Sequence, residues 1–340
     1  MSQSIEPATG PAVWKGSDFA RNDEWILPLS SQDLDELDAA LAAIQATGKP
    51  VQDIHAADFP LPTLGKKLNT LADALESGRG FGVVRGVPVG KYSEDALKIV
   101  SWGLCCQFGT GIPQSRQGDW INHVIDVSDV TETAKPDLQH IIKRGQLRTN
   151  HAGGELDFHT DTTDIFALFC LRNAKSGGTS RLASVATLHN MILDEKPDYA
   201  KALYDGYFYM SQSVDNEGGA PRVSANRVPV FTRKGKTVQG YYISQVVQRA
   251  MDQGGVTYNP VEDDAREEIQ RAANAPGVAH EFLLEPGDLL VANNRAVLHA
   301  RYDYEDHAEL DRRRHMFRLW MATTPEMLTK TFSAPSDRFS

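Results

Sequence analysis

The chain has 340 residues, 41% of them hydrophobic and 24% charged, with a formal net charge of −10. This is the composition of an ordinary soluble protein with enough chain for one large domain or two modest ones. The acidic balance argues against a nucleic-acid partner, since the small basic clusters Arg312-Arg313-Arg314 and Lys143-Arg144 are offset by acidic neighbours.

The N-terminus is polar, without a basic segment followed by an apolar one, and no run approaches the length of a membrane span. The three cysteines, Cys105, Cys106 and Cys170, make no C-x-x-C spacing and read as buried structural thiols in a reducing compartment. The expectation is a cytoplasmic protein with no membrane partner that acts on a small molecule. A homo-oligomer is left open.

Residues 1–29 read as an irregular arm pinned by Trp14 and Trp25. Ser31 is expected to cap a helix carrying Leu34, Leu37, Leu41 and Ile44, which Gly48 and Pro50 end. A second helix fits 64–75, a strand 81–88, and a third helix runs from a Ser93 cap through Cys106. Beyond Gly109 the pattern changes to strands and turns. Residues 120–127 alternate in part, and 128–155 form a long polar segment with the character of a lid. Residues 165–171 read as a buried strand. Gly177-Gly178 turns the chain into a strand over 180–185. Helices follow at 186–192 and 199–204, then a hairpin from 228–232 and 237–243, and an amphipathic helix over 263–273. Strands at 279–284, 288–293 and 314–322 close the chain, with Glu285-Pro286-Gly287-Asp288 as a tight turn.

Helices followed by many short strands predict an α+β chain with a sandwich or barrel core; a jelly roll fits, because its open mouth can hold a metal. The division expected is one domain over 1–340. An arm and helical layer occupy 1–79, the core with its lid segment 80–322, and a C-terminal tail 323–340.

Three stretches carry chemistry. In Phe158-His159-Thr160-Asp161, an extended chain would project His159 and Asp161 from the same face. With a distant histidine they would make a two-histidine, one-carboxylate face with open metal positions. A solvated turn, or Asp161 as a helix cap, is the plainer alternative. The second stretch, Asn293 to Arg301, offers His299 just after a strand; alone it would read as a packed histidine bonded to a carbonyl. In the third, Arg314, Met316 and Arg318 share one face of a final strand, with His315, Phe317, Leu319 and Met321 on the other. Guanidinium is suited to gripping a buried carboxylate, although a basic edge strand is the alternative. His189 reads as a core residue, His151 and His307 are not taken as ligands, and His315 should point away from Arg314. Gly153-Gly154 reads as a hinge rather than a phosphate cradle.

Taken together, these stretches resemble the iron(II)- and 2-oxoglutarate-dependent dioxygenases of the taurine dioxygenase and clavaminate synthase-like superfamily. The resembling pieces are Phe158-His159-Thr160-Asp161, Gly177-Gly178-Thr179-Ser180, Pro286-Gly287-Asp288-Leu289-Leu290, Asn294-Arg295 with His299, and Arg314 with Arg318. The resemblance implies a double-stranded β-helix (jelly roll, cupin-like) core with N-terminal and flanking helices. It implies Fe(II) bound by His159, Asp161 and His299. It also implies 2-oxoglutarate held by Arg314 and Ser180, with Thr179 as fallback, and dioxygen as the further cosubstrate. Ser180 departs from the threonine usual in relatives. Arg318 would face cosubstrate or substrate, and Glu155 would lie near the pocket mouth, where relatives often carry asparagine. Gln114, Arg116 and Tyr242 are expected to join the lid segment around the substrate.

The implied reaction couples decarboxylation of 2-oxoglutarate to succinate and CO2 with oxidation of an unactivated C–H bond in a small, anionic substrate. Hydroxylation is the default; desaturation, cyclisation or epimerisation use the same iron face. The readings of another class are a metal-binding scaffold without turnover and a zinc hydrolase, which would leave Arg314 and Ser180 without work.

Overall fold

Local sequence starts and stops the helices where side chains can satisfy the free backbone groups. Ser30 accepts from the Asp33 N–H while the Asp33 carboxylate accepts from the Ser30 N–H, so the first helix is capped one residue earlier than expected. Gly48, at φ 65°, ends it in the left-handed conformation. Asn259 caps a later helix with the same reciprocal pair, and Ser93 caps another with its hydroxyl alone, which accepts from the Ala96 N–H.

The structure is a computed structural model that describes residues 5–115, 118–143, 153–210 and 222–329. The described helices are α1 (Ser31–Thr47), α2 (Leu64–Glu76), α3 (Glu94–Cys105), α4 (Pro136–Lys143), α5 (Val185–Glu195), α6 (Pro197–Asp205), α7 (Ser244–Gly254), α8 (Pro260–Ala273) and α9 (Pro325–Thr329). The strands are β1 (Ile26–Pro28), β2 (Phe81–Arg85), β3 (Thr110–Ile112), β4 (Ile121–Val124), β5 (Leu156–His159), β6 (Ile165–Arg172), β7 (Ser176–Gly177), β8 (Ser180–Ser184), β9 (Phe231–Lys234), β10 (Thr237–Gly240), β11 (His280–Phe282), β12 (Leu289–Asn293), β13 (Val297–Arg301), β14 (Tyr304–Glu305) and β15 (His315–Ala322).

The major sheet runs β1-β2-β12-β6-β15-β3, with β4 also on β15; the minor sheet runs β11-β8-β13-β5. Strand alternation sorts the apolar residues into layers. On β6, Phe166 and Cys170 face the space between the sheets, while Ala167, Phe169 and Leu171 face outward. On β15, Met316 and Trp320 face inward and Phe317, Leu319 and Met321 outward. The inner cluster joins these to Leu182 and Val297 of the minor sheet. Helices α1, α2 and α3 cover the outer face of the major sheet. Helices α5, α6, α7 and α8 cover the outer face of the minor sheet, against Phe158, Ala183, Leu298 and Ala300. The result is a two-sheet sandwich with a helical layer on each side. Full burial of each such Leu, Phe or Val contributes about 1.5–3 kcal/mol.

The segment read as a lid holds a helix. Leu138 and Ile141 of α4 pack with Ile125 and Val127, so residues up to 143 are tied to the body of the protein. Residues 144–152, including His151, lie outside the described residues, as does Arg116. The cysteines are free and buried, as expected. Burial pushes the Cys106 and Cys170 thiols up to about 12. His189 is a core residue, bonded to Asn190 and to the Tyr204 hydroxyl. Among the described residues, no helix is long and apolar enough to cross a membrane.

Candidate metal centre and anion pocket

His159, Asp161 and His299 converge: each offers a ligand atom, and these atoms lie within 4.8 Å of one another. The two histidines sit opposite each other on paired strands β5 and β13, with ring centroids 4.2 Å apart. His299 therefore lies inside a strand, not after one as its sequence context suggested. Its ring stacks on Phe166 at 4.1 Å.

Strand alternation does not bring Asp161 to its partner, because β5 ends at His159. A pinned loop does so instead. Asn294 Oδ1 accepts from the Asp161 N–H at 3.0 Å, and its Nδ2 donates to the carbonyls of Asp161 and of Thr163, the latter at 2.9 Å. Thr160 is held by reciprocal bonds to the Tyr242 backbone, and Asp164 accepts from Thr323 and Thr324. The motif of Asn294 with His299 was visible in sequence. The work Asn294 performs was not, because its partners lie more than 130 residues away.

The orientations of the groups suit metal binding. His159 Nδ1 donates to the Asp157 carbonyl at 2.7 Å, which leaves Nε2 as the ring nitrogen available to a ligand. Burial, and then the neighbouring His159, hold the His299 imidazole well below its usual range, so it is neutral. Its Nε2 lies 4.0 Å from Asp161 Oδ2. Burial raises the Asp161 carboxyl, but Arg318, the two imidazoles and the Trp320 donor together pull it below the ordinary range. Arg318 Nη1 lies 3.1 Å from Oδ1, and Trp320 Nε1 lies 3.0 Å from Oδ2. Each carboxylate oxygen thus has its own donor, and Oδ2 also faces His299. Gln114 accepts from Arg318 Nε at 2.9 Å and donates to the Arg318 carbonyl at 2.6 Å. The residue expected at the substrate is a brace for Arg318.

Arg314 enters from the residue before β15 and is 3% exposed. Its Nη2 meets Met316 Sδ at 3.2 Å, and its buried Nη1 has no partner among the described residues. Burial, then repulsion from Arg301, pushes its pKa down to about 10. Gly178, at φ +75°, makes room: a Cβ there would stand 3.3 Å from Arg314 Nε. Ser180 is buried in β8 directly opposite Arg301 of β13. Thr179 is half-buried, and its carbonyl accepts from the Tyr302 N–H.

Two residues expected around the substrate have partners of their own. Glu155 is exposed and lies 3.5 Å from Arg181, whose guanidinium stacks on Phe158 and Tyr302. Tyr242 is buried in the cluster beneath α8, with its hydroxyl donating to the Arg266 carbonyl. Only its backbone serves the site, by holding Thr160.

A second cluster, Glu94, His123 and His315, has similar spacing. Arg172 can only donate, so its Nη2 contact at 3.1 Å makes His315 Nδ1 an acceptor. His315 Nε2 then donates to His123 Nδ1 at 2.8 Å, and His123 Nε2 faces Asp137 at 3.6 Å. Both ring nitrogens of His315 are taken, and Lys98 and Lys135 flank the group. The cluster ties α4 to the outer face of the major sheet, and His315 points away from Arg314 as expected.

The chain matches the family described as taurine catabolism dioxygenase TauD, TfdA family over residues 46–320. It is 28% identical over 319 residues to the FR-33289 synthase of Streptomyces rubellomurinus, covering 93% of this chain and 90% of that one. It is also 28% identical over 310 residues to a taurine hydroxylase-like protein of Stachybotrys chartarum, covering 90% and 77%. In fold it is similar to an asparagine oxygenase solved with Fe(II), 2S,3S-3-hydroxyasparagine and succinate (TM-score 0.66, 16% identity, 88% of this chain and 94% of that one). It is likewise similar to the non-heme iron oxygenase OrfP solved with Fe and alpha-ketoglutaric acid (TM-score 0.60, 14% identity, 88% and 94%). The chain belongs to the taurine catabolism dioxygenase TauD, TfdA family and is an Fe(II)- and 2-oxoglutarate-dependent dioxygenase.

Proposed function

We propose that His159, Asp161 and His299 bind Fe(II), that Arg314 and Ser180 hold the distal carboxylate of 2-oxoglutarate, and that the enzyme oxidises an unactivated C–H bond of a small anionic substrate. The observation that carries this reading is the convergence of two imidazoles and one carboxylate beside a buried guanidinium with an orphaned donor. The donor set fits a divalent iron, and the orphaned Arg314 Nη1 fits an incoming carboxylate. The two-sheet sandwich is read as the double-stranded β-helix of the family, with the site between its sheets.

When bound, iron and 2-oxoglutarate supply oxygen activation, coupled to oxidative decarboxylation that yields succinate and CO2. The chain's own residues bind, orient and exclude water. The Asp157 carbonyl fixes the His159 tautomer. Burial keeps His299 unprotonated and available. Arg318 and Trp320 hold the Asp161 carboxylate in one orientation. Phe166, Met316 and Trp320 make an apolar wall between the sheets that keeps bulk water from the reacting centre. Hydroxylation is the default outcome. A zinc hydrolase built on the same three ligands leaves the buried Arg314 donor without a partner.

The test is anaerobic absorption spectroscopy of the purified protein with Fe(II), before and after 2-oxoglutarate. A weak visible charge-transfer band that needs both additions and disappears in His159→Ala is the expected result. Folded protein that forms no band refutes the reading. Succinate release then serves to screen small anionic substrates.

A further inference from the structure

Arg301 stands two residues beyond His299 on β13, so its side chain leaves the same face of the strand. It is 4% exposed. Its Nη2 donates to the Gly154 carbonyl at 2.6 Å, while Nε and Nη1 are buried and unpartnered. No carboxylate among the described residues lies within ion-pair distance of it. Its guanidinium carbon is 4.6 Å from the centroid of the Tyr304 ring, and that of Arg314 is 5.4 Å from the same centroid. The two arginines approach this ring from opposite sheets, one from β13 and one from the residue just before β15. Ser180, opposite Arg301 across the β8–β13 pair, lies on the same inner face.

Three unpartnered guanidinium nitrogens, Nε and Nη1 of Arg301 and Nη1 of Arg314, therefore belong to two side chains that meet at the Tyr304 ring. A buried cation without a counter-ion is costly, and two side by side repel each other as well. Such a pair is stable in a folded protein when an anion completes it.

We infer that Arg301 is a second cationic anchor for the distal carboxylate of the 2-oxo acid, closing a two-arginine clamp with Arg314. The inference rests on the reading of Arg314 as the cosubstrate anchor. Its consequence is selectivity: the enzyme discriminates a 2-oxo dicarboxylate from a 2-oxo monocarboxylate more strongly than Arg314 alone would allow.

The experiment compares 2-oxoglutarate with 2-oxopentanoate, which has the same carbon chain without the distal carboxylate. Both are titrated into the anaerobic Fe(II) protein and followed by the visible charge-transfer band, in wild type, Arg301→Gln and Arg301→Lys. Arg301→Gln is expected to weaken 2-oxoglutarate by about 10–100-fold, the scale of one lost charge-assisted contact, and to leave 2-oxopentanoate within about 3-fold of wild type, since that ligand never made the contact. Arg301→Lys should fall between. The ratio of the two affinities within one variant does not depend on the fraction folded, and thermal midpoints confirm that the variants fold. Equal loss for both ligands, or loss for neither, overturns the clamp while the band itself upholds the cosubstrate reading. A wild-type protein that forms no band with either ligand overturns both.

Discussion

Replacing Trp320 with phenylalanine tests how the carboxylate ligand is held. Trp320 is 6% exposed and packs among Phe166, Leu182 and Met316, so phenylalanine keeps an aromatic ring in the inner cluster. What is lost is the Nε1–H donor, 3.0 Å from Asp161 Oδ2. The other oxygen is gripped by Arg318 Nη1 at 3.1 Å. With separate donors on its two oxygens, the carboxylate is fixed with Oδ2 toward His299. Without Trp320 it can turn toward a two-pronged pair with Arg318, the geometry guanidinium prefers, and that pairing competes with a metal ion. A hydrogen bond to a charged group contributes about 1.5–3 kcal/mol, and Arg318 retains part of the orientation, so the lower end applies. Fe(II) or Mn(II) should therefore bind about 10–30-fold more weakly, within the range for an outer partner of a metal ligand. The assay is an anaerobic competition titration against a chromophoric chelator, with Mn(II) followed in parallel by electron paramagnetic resonance. The opposing effect, a more basic Oδ2 once its donor is gone, would tighten binding. Metal affinity that is unchanged or increased in a folded Trp320→Phe protein refutes the orienting role.

Asn294 is 1% exposed and satisfies the backbone on both sides of Asp161. Asn294→Ala should cost about 2–4 kcal/mol of stability in urea unfolding and weaken metal binding. Asn294→Asp keeps the acceptor for the Asp161 N–H and loses both donors, so an alanine variant that matches wild type in both measurements refutes the clamp. His280 sits among Trp25, Phe81 and Phe282, and burial lowers its pKa to about 4. A histidine lowered on folding contributes stability in full above its unfolded value near 6.5 and loses it as pH falls toward 4, an effect of up to roughly 3 kcal/mol. Urea midpoints should fall between pH 6.5 and 4.5, and His280→Leu should flatten that slope; an unchanged slope refutes the assignment.

The chemistry of the site was legible in the sequence because the functional groups have few substitutes. A histidine and an aspartate two residues apart, a distal histidine and a following arginine are rare enough together to define a family. What was not legible is what holds them. Arg318 meets Asp161 across 157 residues of chain, and Trp320 does so across 159. Neither contact leaves a local pattern. Helix α7 has only Val246, Val247 and Ala250 buried and lacks a side-chain cap, and α4 buries only Leu138 and Ile141, so both escaped the periodicity reading. Tyr242 was grouped with the lid segment and Glu155 with the pocket mouth; the pairing of Glu155 with Arg181 and the packing of Tyr242 under α8, with its hydroxyl on the Arg266 carbonyl, are likewise long-range contacts that leave no local pattern.

The charges of the site, taken as a set, bear on the substrate. Arg301 and Arg314 meet at the Tyr304 ring, and Arg318 stands at the three ligands, 3.1 Å from Asp161. Asp306 accepts from the Arg314 backbone N–H, and Asp126 and Asp306 attract the Arg301 guanidinium at longer range, so the chain itself partly balances the first pair. Arg318 has Asp161 as its carboxylate partner among the described residues, and a metal ion on that carboxylate would compete for the same charge. On the proposed reading, an anionic group of the substrate would be placed near Arg318, where burial weakens screening. Arg318 is then a shared resource. It braces the metal carboxylate through Nη1 and is itself braced by Gln114 through Nε, and its remaining Nη2 is the atom from which an anionic substrate can be held without releasing Asp161.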